Sequence, residues 1–549
     1  MHPGPTRASD PRGRIRDPSA SQAPAWRQWL DLAPVGLVAL AAGVGLSLQI
    51  AGGDPSVQPE SAAADRLPPR PPELALPARR PPPQMEPSNA RPPASITPDR
   101  ASAPPSFEQW LTELRRSAEG RGISPQTLNA ALADLRPMTA VLEQDGRQRE
   151  YSKTFFDYLG NSVSAARIQR GRALLQRHRP LLDELQRQYG VSGPVLIALW
   201  GMESDFGANT GSTPVIQTLA TLAYDGRRRE RFQDELLAAL AIIDEGRAAP
   251  AQLRGSWAGA MGQPQFLPST YLQHGRDGDG DGRIDIWGSE ADTLTSAAAY
   301  LFSLGWQRST PWILEARLPA GFDHYQARLD VRRSLTDWAR LGVLDGDGKA
   351  LPEADVQASV LLPAGHQGPA ILVFENFRVI TEWNRSLHYA LAVGHLANRI
   401  GGAGPLRAGP PPGDQALPSS TVEAMQRQLN ALGFDAGEPD GMVGRKTRAA
   451  IRDYQRARGR IADAYPTPEL TRAIAIDAGV EPTPATQRQM VADIQRYLNA
   501  LGHDAGPVDG APGHRTGVAI RAYQRSRGLP ETGQPSMELH RRLAADAGG

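Results

Sequence analysis

The chain has no cysteine, which excludes disulfide scaffolds, thiolate metal sites, cysteine nucleophiles and a lipid-modified N-terminal cysteine. It also lacks a charge imbalance: 60 lysines and arginines face 59 aspartates and glutamates, for a formal net charge of +1. No global field points to nucleic acid, and arginines interspersed with acids read as a solvated surface with room for a local anion site. Length, by contrast, is ample. At 549 residues the chain exceeds one domain, since domains run to roughly 100–200 residues.

Residues 1–31 are polar and carry Arg7, Arg12, Arg14, Arg16 and Arg27. Residues 32–51 form an apolar run about long enough for a bilayer, which takes roughly 20 residues, and the basic flank before it favours an N-in, C-out orientation. The run is long for a signal h-region and no obvious A-x-A site comes after it, so an uncleaved anchor is preferred to a cleaved signal peptide or a buried core helix. Either membrane reading places the rest of the chain outside the cytoplasm. Residues 52–105 are dominated by proline, as in Leu67-Pro68-Pro69-Arg70-Pro71-Pro72; they cannot bury a core and read as a stiff polyproline spacer.

Order begins at Phe107. Ser124-Pro125 has the cap-then-proline form of a helix start, and one long helix is expected from about Ser164 to Tyr189, stopped by a left-handed Gly190. The stretch Ala198-Leu199-Trp200-Gly201-Met202-Glu203-Ser204-Asp205-Phe206-Gly207 ends a helix beginning near Pro194, too apolar for a surface position. A carboxylate, Glu203, arrives at its end. Burial against Trp200, Met202 and Phe206 would disfavour its ionised form and raise its pKa, as a general acid near neutral pH requires. The same carboxylate could instead cap the helix or pair with an arginine.

Further on, Gly255 to Tyr271 is rich in small residues that allow close backbone approach, with Ser256 and Gln265 as hydrogen-bonding groups. This suits a saccharide-lined cleft or, equally, a tight helix-packing turn. Asp277-Gly278-Asp279-Gly280-Asp281-Gly282-Arg283-Ile284-Asp285 places oxygen donors at alternate positions, as in the front half of an EF-hand loop. The glutamate expected at position twelve is missing, since Gly288 stands there, and carboxylates come later at Glu290 and Asp292. Short extended pieces around 358–362 and 370–374 and a helix near Leu335 indicate a small strand-bearing part. After a linker at 401–420 the sequence repeats: Leu429-Asn430-Ala431-Leu432-Gly433 recurs as Leu498-Asn499-Ala500-Leu501-Gly502, Asp440-Gly441 as Asp509-Gly510, and Ile451-Arg452-Asp453-Tyr454-Gln455-Arg456 as Ile520-Arg521-Ala522-Tyr523-Gln524-Arg525. Constant spacing makes this a duplicated domain, each copy reading helix, turn, helix, short helix. Two tethered binders would gain affinity through effective concentration.

These features resemble the membrane-bound lytic murein transglycosylase B family, in an enlarged form, over nearly everything from Phe107 onward. The resemblance rests on Trp200-Gly201-Met202-Glu203-Ser204-Asp205-Phe206-Gly207, on Gly259-Ala260-Met261-Gly262-Gln263-Pro264-Gln265-Phe266-Leu267-Pro268-Ser269, on the Asp277 loop, and on Asn376-Phe377-Arg378-Val379-Ile380-Thr381 with Trp383-Asn384. It implies a mainly α, lysozyme-like catalytic domain over 106–400 with a small strand-bearing subdomain. Residues 421–478 and 486–546 are similar to three-helix peptidoglycan-binding domains of type 1. By the resemblance, Glu203 is the single acid/base, Ser256, Met261, Gln265, Phe266 and Tyr300 line the cleft, and Arg228 and Arg229 match a paired-arginine motif. A structural calcium carries over to Asp277, Asp279, Asp281, the carbonyl of Arg283, and Asp292, with no cofactor needed for the chemistry. Trp257 and Trp383 stand where tyrosine is frequent and Ala299 where asparagine is.

The implied partners are peptidoglycan glycan strands and, through residues 32–51, the inner membrane; nucleic acid is not among them, and proteins of wall synthesis or division are left unidentified. The implied location is periplasmic. An ordinary glycosidase needs two carboxylates about 5–9.5 Å apart, and Asp205, two residues after Glu203, points elsewhere on a helix. Glu203 is therefore expected to work alone, cleaving the bond between N-acetylmuramic acid and N-acetylglucosamine with formation of a 1,6-anhydro ring. The alternatives are a hydrolytic muramidase and an inactive wall-binding scaffold.

Overall fold

A computed structural model describes residues 106–147, 153–226, 228–480 and 484–547. The apolar run at 32–51 and the proline-rich stretch at 52–105 lie outside them, and among the described residues no helix is long and apolar enough to cross a membrane. The protein is mostly helical with a small antiparallel sheet.

The helix Gly193–Ser204 is the axis of the larger helical part. Val195 to Gly201 are all buried, leaving no polar stripe, so the helix is wrapped on every side. The helix Leu387–Ile400 packs along it, and both belong to one apolar core. A second core forms around the helices Val215–Asp225 and Arg229–Asp244. Ser124 caps the helix Pro125–Leu132 as expected, and it also donates to Asp244 Oδ1 (2.5 Å), tying the N-terminal helices to this second core. Trp383 packs against both cores, which puts the seam between them at the end of the Gly193–Ser204 helix.

The single helix expected over 164–189 is two, Ala165–Arg177 and Arg179–Tyr189. The cause is local: Pro180 has no N–H to continue the ladder, and His178 leaves helical geometry to end one helix and start the next. Gly190 does cap the second in the left-handed region, at φ 76°.

The strand-bearing part is a five-stranded antiparallel sheet in the order Arg333–Ser334, Gln357–Leu361, Ala370–Val373, Ile313–Arg317, Leu344–Asp345. Its middle strand is buried on both faces, hence the unbroken apolar run Ala370-Ile371-Leu372-Val373 in place of alternation. Each C-terminal repeat has three helices and its own core. One buried amide organises each. Gln426 donates to Asp440 (2.9 Å), the Met442 carbonyl (3.1 Å) and Thr447 (3.0 Å) and accepts from the Gly441 N–H (2.9 Å). Gln495 repeats the set with Asp509, Ala511, Thr516 and Gly510. A buried amide left unpaired would cost about 1–3 kcal/mol, which explains why the Asp-Gly turn survives in both copies.

Candidate active site

Glu203 is the penultimate residue of the central helix, and the chain breaks immediately after it. Asp205 and Phe206 take left-handed conformations, φ 50° and 59°, each of which costs a non-glycine residue about 1–3 kcal/mol. Surrounding contacts hold them. Asp205 pairs with Arg167 (3.0 Å) and Arg170 (3.8 Å), while Phe206 packs edge-on against Trp200 (5.8 Å between centroids) beneath the Arg170 guanidinium. At Gly207 a Cβ would stand 2.5 Å from Gln263 Oε1, so only glycine fits. Gln263 in turn accepts from Trp200 Nε1 (2.9 Å) and donates to the Trp287 carbonyl (3.1 Å), locking the 255–271 loop against the central helix.

The Glu203 carboxyl receives two hydrogen bonds on the same oxygen. Trp383 Nε1 donates to Oε1 at 2.8 Å, and the Tyr389 hydroxyl donates to that atom as well. Trp383 ends the helix Glu375–Trp383, and Tyr389 sits in the first turn of Leu387–Ile400, where its N–H is capped by Ser386 (3.3 Å). Oε2 has no hydrogen bond among the described residues, which leaves it to carry the proton. Burial pushes the Glu203 pKa from an ordinary 4.5 up to about 7, opposed by the hydrogen bonds from Tyr389 and Trp383, and no acidic neighbour contributes. The Tyr389 hydroxyl is driven well above its usual range by burial and by Glu203, so it stays a donor. Tyr158 lies within the same field, its pKa raised by burial and then by Glu203.

An aromatic wall adjoins this carboxyl. Trp383 packs on Phe266 (5.4 Å) and Tyr300 (5.2 Å), Phe266 meets Tyr300 edge-on (5.4 Å), and His274 stacks on Tyr300 (4.9 Å). Phe266 and Tyr300 are thus brought beside Glu203 through Trp383. The other expected cleft residues mostly shape the loop. Ser256 Oγ accepts from the Ala258 and Ala260 N–H groups (3.3 and 3.1 Å). Gln265, at φ 50°, donates to the carbonyls of Thr210 and Gly262 (3.0 and 2.8 Å). Met261 is fully buried, its backbone bridging to Gly255 and Phe266. Arg228 and Arg229 are exposed at the start of the helix Arg229–Asp244, with Arg228 over the Phe232 ring.

In the acidic loop, carboxylate oxygens of Asp277, Asp279 and Asp292 lie within 4.8 Å of one another. Asp281 lies outside that trio, its carboxylate accepting from the Arg283 N–H (2.8 Å), and Glu290 is taken by His178 (2.8 Å). Asp292 is 1% exposed and accepts from the Gly278 and Asp285 N–H groups (2.8 and 2.6 Å). Burial raises its pKa, and the charge of Asp279 adds to that. Three carboxylates offering hard oxygen donors, the buried Asp292 among them, fit a calcium ion.

Residues 106–398 match the transglycosylase SLT domain family, and residues 418–474 and 487–543 each match the putative peptidoglycan binding domain family. The membrane-bound lytic murein transglycosylase B of Escherichia coli is 30% identical over 271 residues, covering 48% of this chain and 71% of that protein. The crystal structure of SltB3 from Pseudomonas aeruginosa in complex with NAG-anhNAM-pentapeptide shares 46% identity at a TM-score of 0.65, over 67% of this chain and 99% of its own. Its complex with NAG-NAM-pentapeptide matches equally.

Proposed function

The chain belongs to the transglycosylase SLT family, and from that membership we propose that Glu203 alone cleaves the β-1,4 bond between N-acetylmuramic acid and N-acetylglucosamine in peptidoglycan, without water. The protein is a lytic murein transglycosylase. In the first step Glu203 Oε2 gives its proton to the glycosidic oxygen as the bond to C1 breaks, and the substrate's own N-acetyl group stabilises the cationic centre. In the second, the carboxylate takes the proton of the C6 hydroxyl, O6 bonds to C1, and Glu203 is protonated again. Proton and bond counts close with no hydroxyl added, making the reaction a lyase step.

One observation carries this reading: a lone carboxyl with a pKa of about 7, donated to on one oxygen and, among the described residues, unpartnered on the other, with no acidic neighbour shifting it. Hydrolysis would ask for a second carboxylate, and Asp205 is committed to Arg167 and Arg170. Trp383 and Tyr389 stabilise the anionic form between the steps, and the aromatic wall offers apolar faces to pyranose rings. Calcium, held by Asp277, Asp279 and Asp292, would neutralise the loop carboxylates and take no part in bond cleavage. The chain would act in the periplasm, with residues 32–51 as its inner-membrane anchor.

The test is turnover of purified sacculi by Glu203→Gln against the wild type. General acid–base catalysis is worth roughly 10²–10⁴-fold, so a loss of that order is expected; equal turnover would remove Glu203 from its role.

A further inference from the structure

The two C-terminal repeats share a fold and a buried network, yet they stand in different surroundings. In the first, Asp453 accepts from the Tyr325 hydroxyl (2.9 Å), and the Arg456 guanidinium lies 4.2 Å from the centroid of the Tyr325 ring. Asp463 accepts from the His366 backbone N–H (3.0 Å) and pairs with His366 Nδ1 (2.7 Å), while Arg452 donates to the Ala327 carbonyl (3.4 Å). The backbone at Gly365 passes so close that a Cβ there would lie 3.0 Å from both Asp463 Oδ2 and Tyr465 Cβ. Tyr325, Ala327, Gly365 and His366 all belong to the strand-bearing part.

The duplication supplies its own control. At the repeat's constant spacing, Asp453, Asp463 and Tyr465 correspond to Ala522, Thr532 and Gln534, which carry neither the two carboxylates nor the aromatic side chain that lies against Gly365. Two further differences redirect the arginines. Ala462 corresponds to Glu531, and Glu531 draws Arg525 onto itself (2.9 and 2.6 Å), whereas Arg456 has no such acid and lies on Tyr325. Ala464 holds a left-handed φ of 63° where the second repeat has Gly533 at 65°. A Cβ on Gly533 would meet Arg521 Nη1 at 2.3 Å, so the Ala464 methyl denies Arg452 that path and sends it toward Ala327. Asp463 is 8% exposed, while Thr532 and Gln534 face solvent.

We propose that the repeats divide the work: the first is an adaptor fixed to the strand-bearing part through residues 445–465, and only the second, whose equivalent face at 514–534 is open, engages a glycan strand bearing peptide stems. This rests on the reading of the chain as a peptidoglycan-cleaving enzyme and on the second repeat's match to the putative peptidoglycan binding domain family. The second repeat is itself held to the first, since Arg472 donates to the fully buried Asp493 (2.6 Å), a position occupied by Ala424 in the first copy. The chain then carries one wall-binding face at a set distance from Glu203 in place of two equivalent binders.

Hydrogen exchange on the full-length Glu203→Gln protein, with and without soluble uncrosslinked glycan strands, tests this. Ligand protection is expected over 514–534 and in the cleft at 255–266, with no added protection over 445–465. Added protection over 445–465, alone or with 514–534, overturns the proposal, as does none over 514–534. Cleft protection without any at 514–534 sinks this inference and spares the functional reading; repeat protection without any in the cleft counts against that reading instead. Docking is tested without ligand: D453A/D463T/Y465Q, each residue taken from the second repeat, should raise exchange over 445–465 by on the order of tenfold or more. Tyr325→Ala with His366→Ala, which leaves the repeat's own core intact, should do the same. Unchanged exchange in the second variant refutes the adaptor role.

Discussion

Replacing Tyr389 by phenylalanine removes one of the two donors on Glu203 Oε1 while keeping the ring in its buried place. That hydrogen bond favours the anion, so its loss destabilises the carboxylate relative to the acid and the pKa rises. A hydrogen bond to a charged group is worth about 1.5–3 kcal/mol, and one pKa unit corresponds to about 1.4 kcal/mol, so the rise is about one to two units. Starting from about 7, Glu203 in Tyr389→Phe should titrate at about 8–9 by this arithmetic. The assay is kcat/KM for soluble muropeptide turnover as a function of pH, whose basic limb reports loss of the free enzyme's acid. The limb should move to higher pH, with the rate at its plateau reduced because the anionic intermediate state has lost a donor. A limb that stays at the wild-type position, or moves to lower pH, would refute the assignment of Glu203 as the acid held by Tyr389.

The raised Glu203 pKa also has a stability consequence. Between about 4.5 and about 7 the folded protein keeps a proton that the unfolded chain releases, so this group's contribution is fully present below about 4.5 and is lost as pH rises through about 7. The full shift corresponds to about 3 kcal/mol, hence Glu203→Gln should melt above the wild type at pH 8 and beside it near pH 4; a wild type that melts higher at pH 8 contradicts the burial argument. Calcium at a hundredfold excess over its Kd should add about 2.7 kcal/mol and raise the melting temperature by several degrees. Asp292→Asn should abolish most of that rise and Asp281→Asn should keep it, because Asp281 lies outside the carboxylate trio; equal losses in both would put Asp281 back among the ligands.

Much of the site is legible along the chain because the information is local. The apolar density before Glu203 predicts burial, burial predicts a raised pKa, and the offset of Asp205 predicts that it faces away, toward Arg167 and Arg170. What holds the carboxyl is not legible. Trp383 stands out in the sequence as part of the Trp383-Asn384 mark and as a departure from tyrosine, with nothing to link it to Glu203, and Tyr389 carries no signal, since both reach Glu203 across 180 or more positions. The break at His178 has its signal in Pro180, outweighed by the apolar rhythm on either side. Met261 shows the opposite error available to motif reading: it belongs to the loop motif, but its side chain is fully buried and its backbone makes the bridges. Docking of the first repeat depends on polar side chains meeting across domains, and its signature is the set of positions at which the two copies differ.

The measurement that bears most directly on water-free cleavage by one carboxyl is the mass of the muropeptides released from sacculi. Every new muramic end should be a 1,6-anhydro ring, lighter by one water than the corresponding reducing sugar. Reducing ends throughout would mean that water attacks C1 and that a second catalytic group stands opposite Glu203.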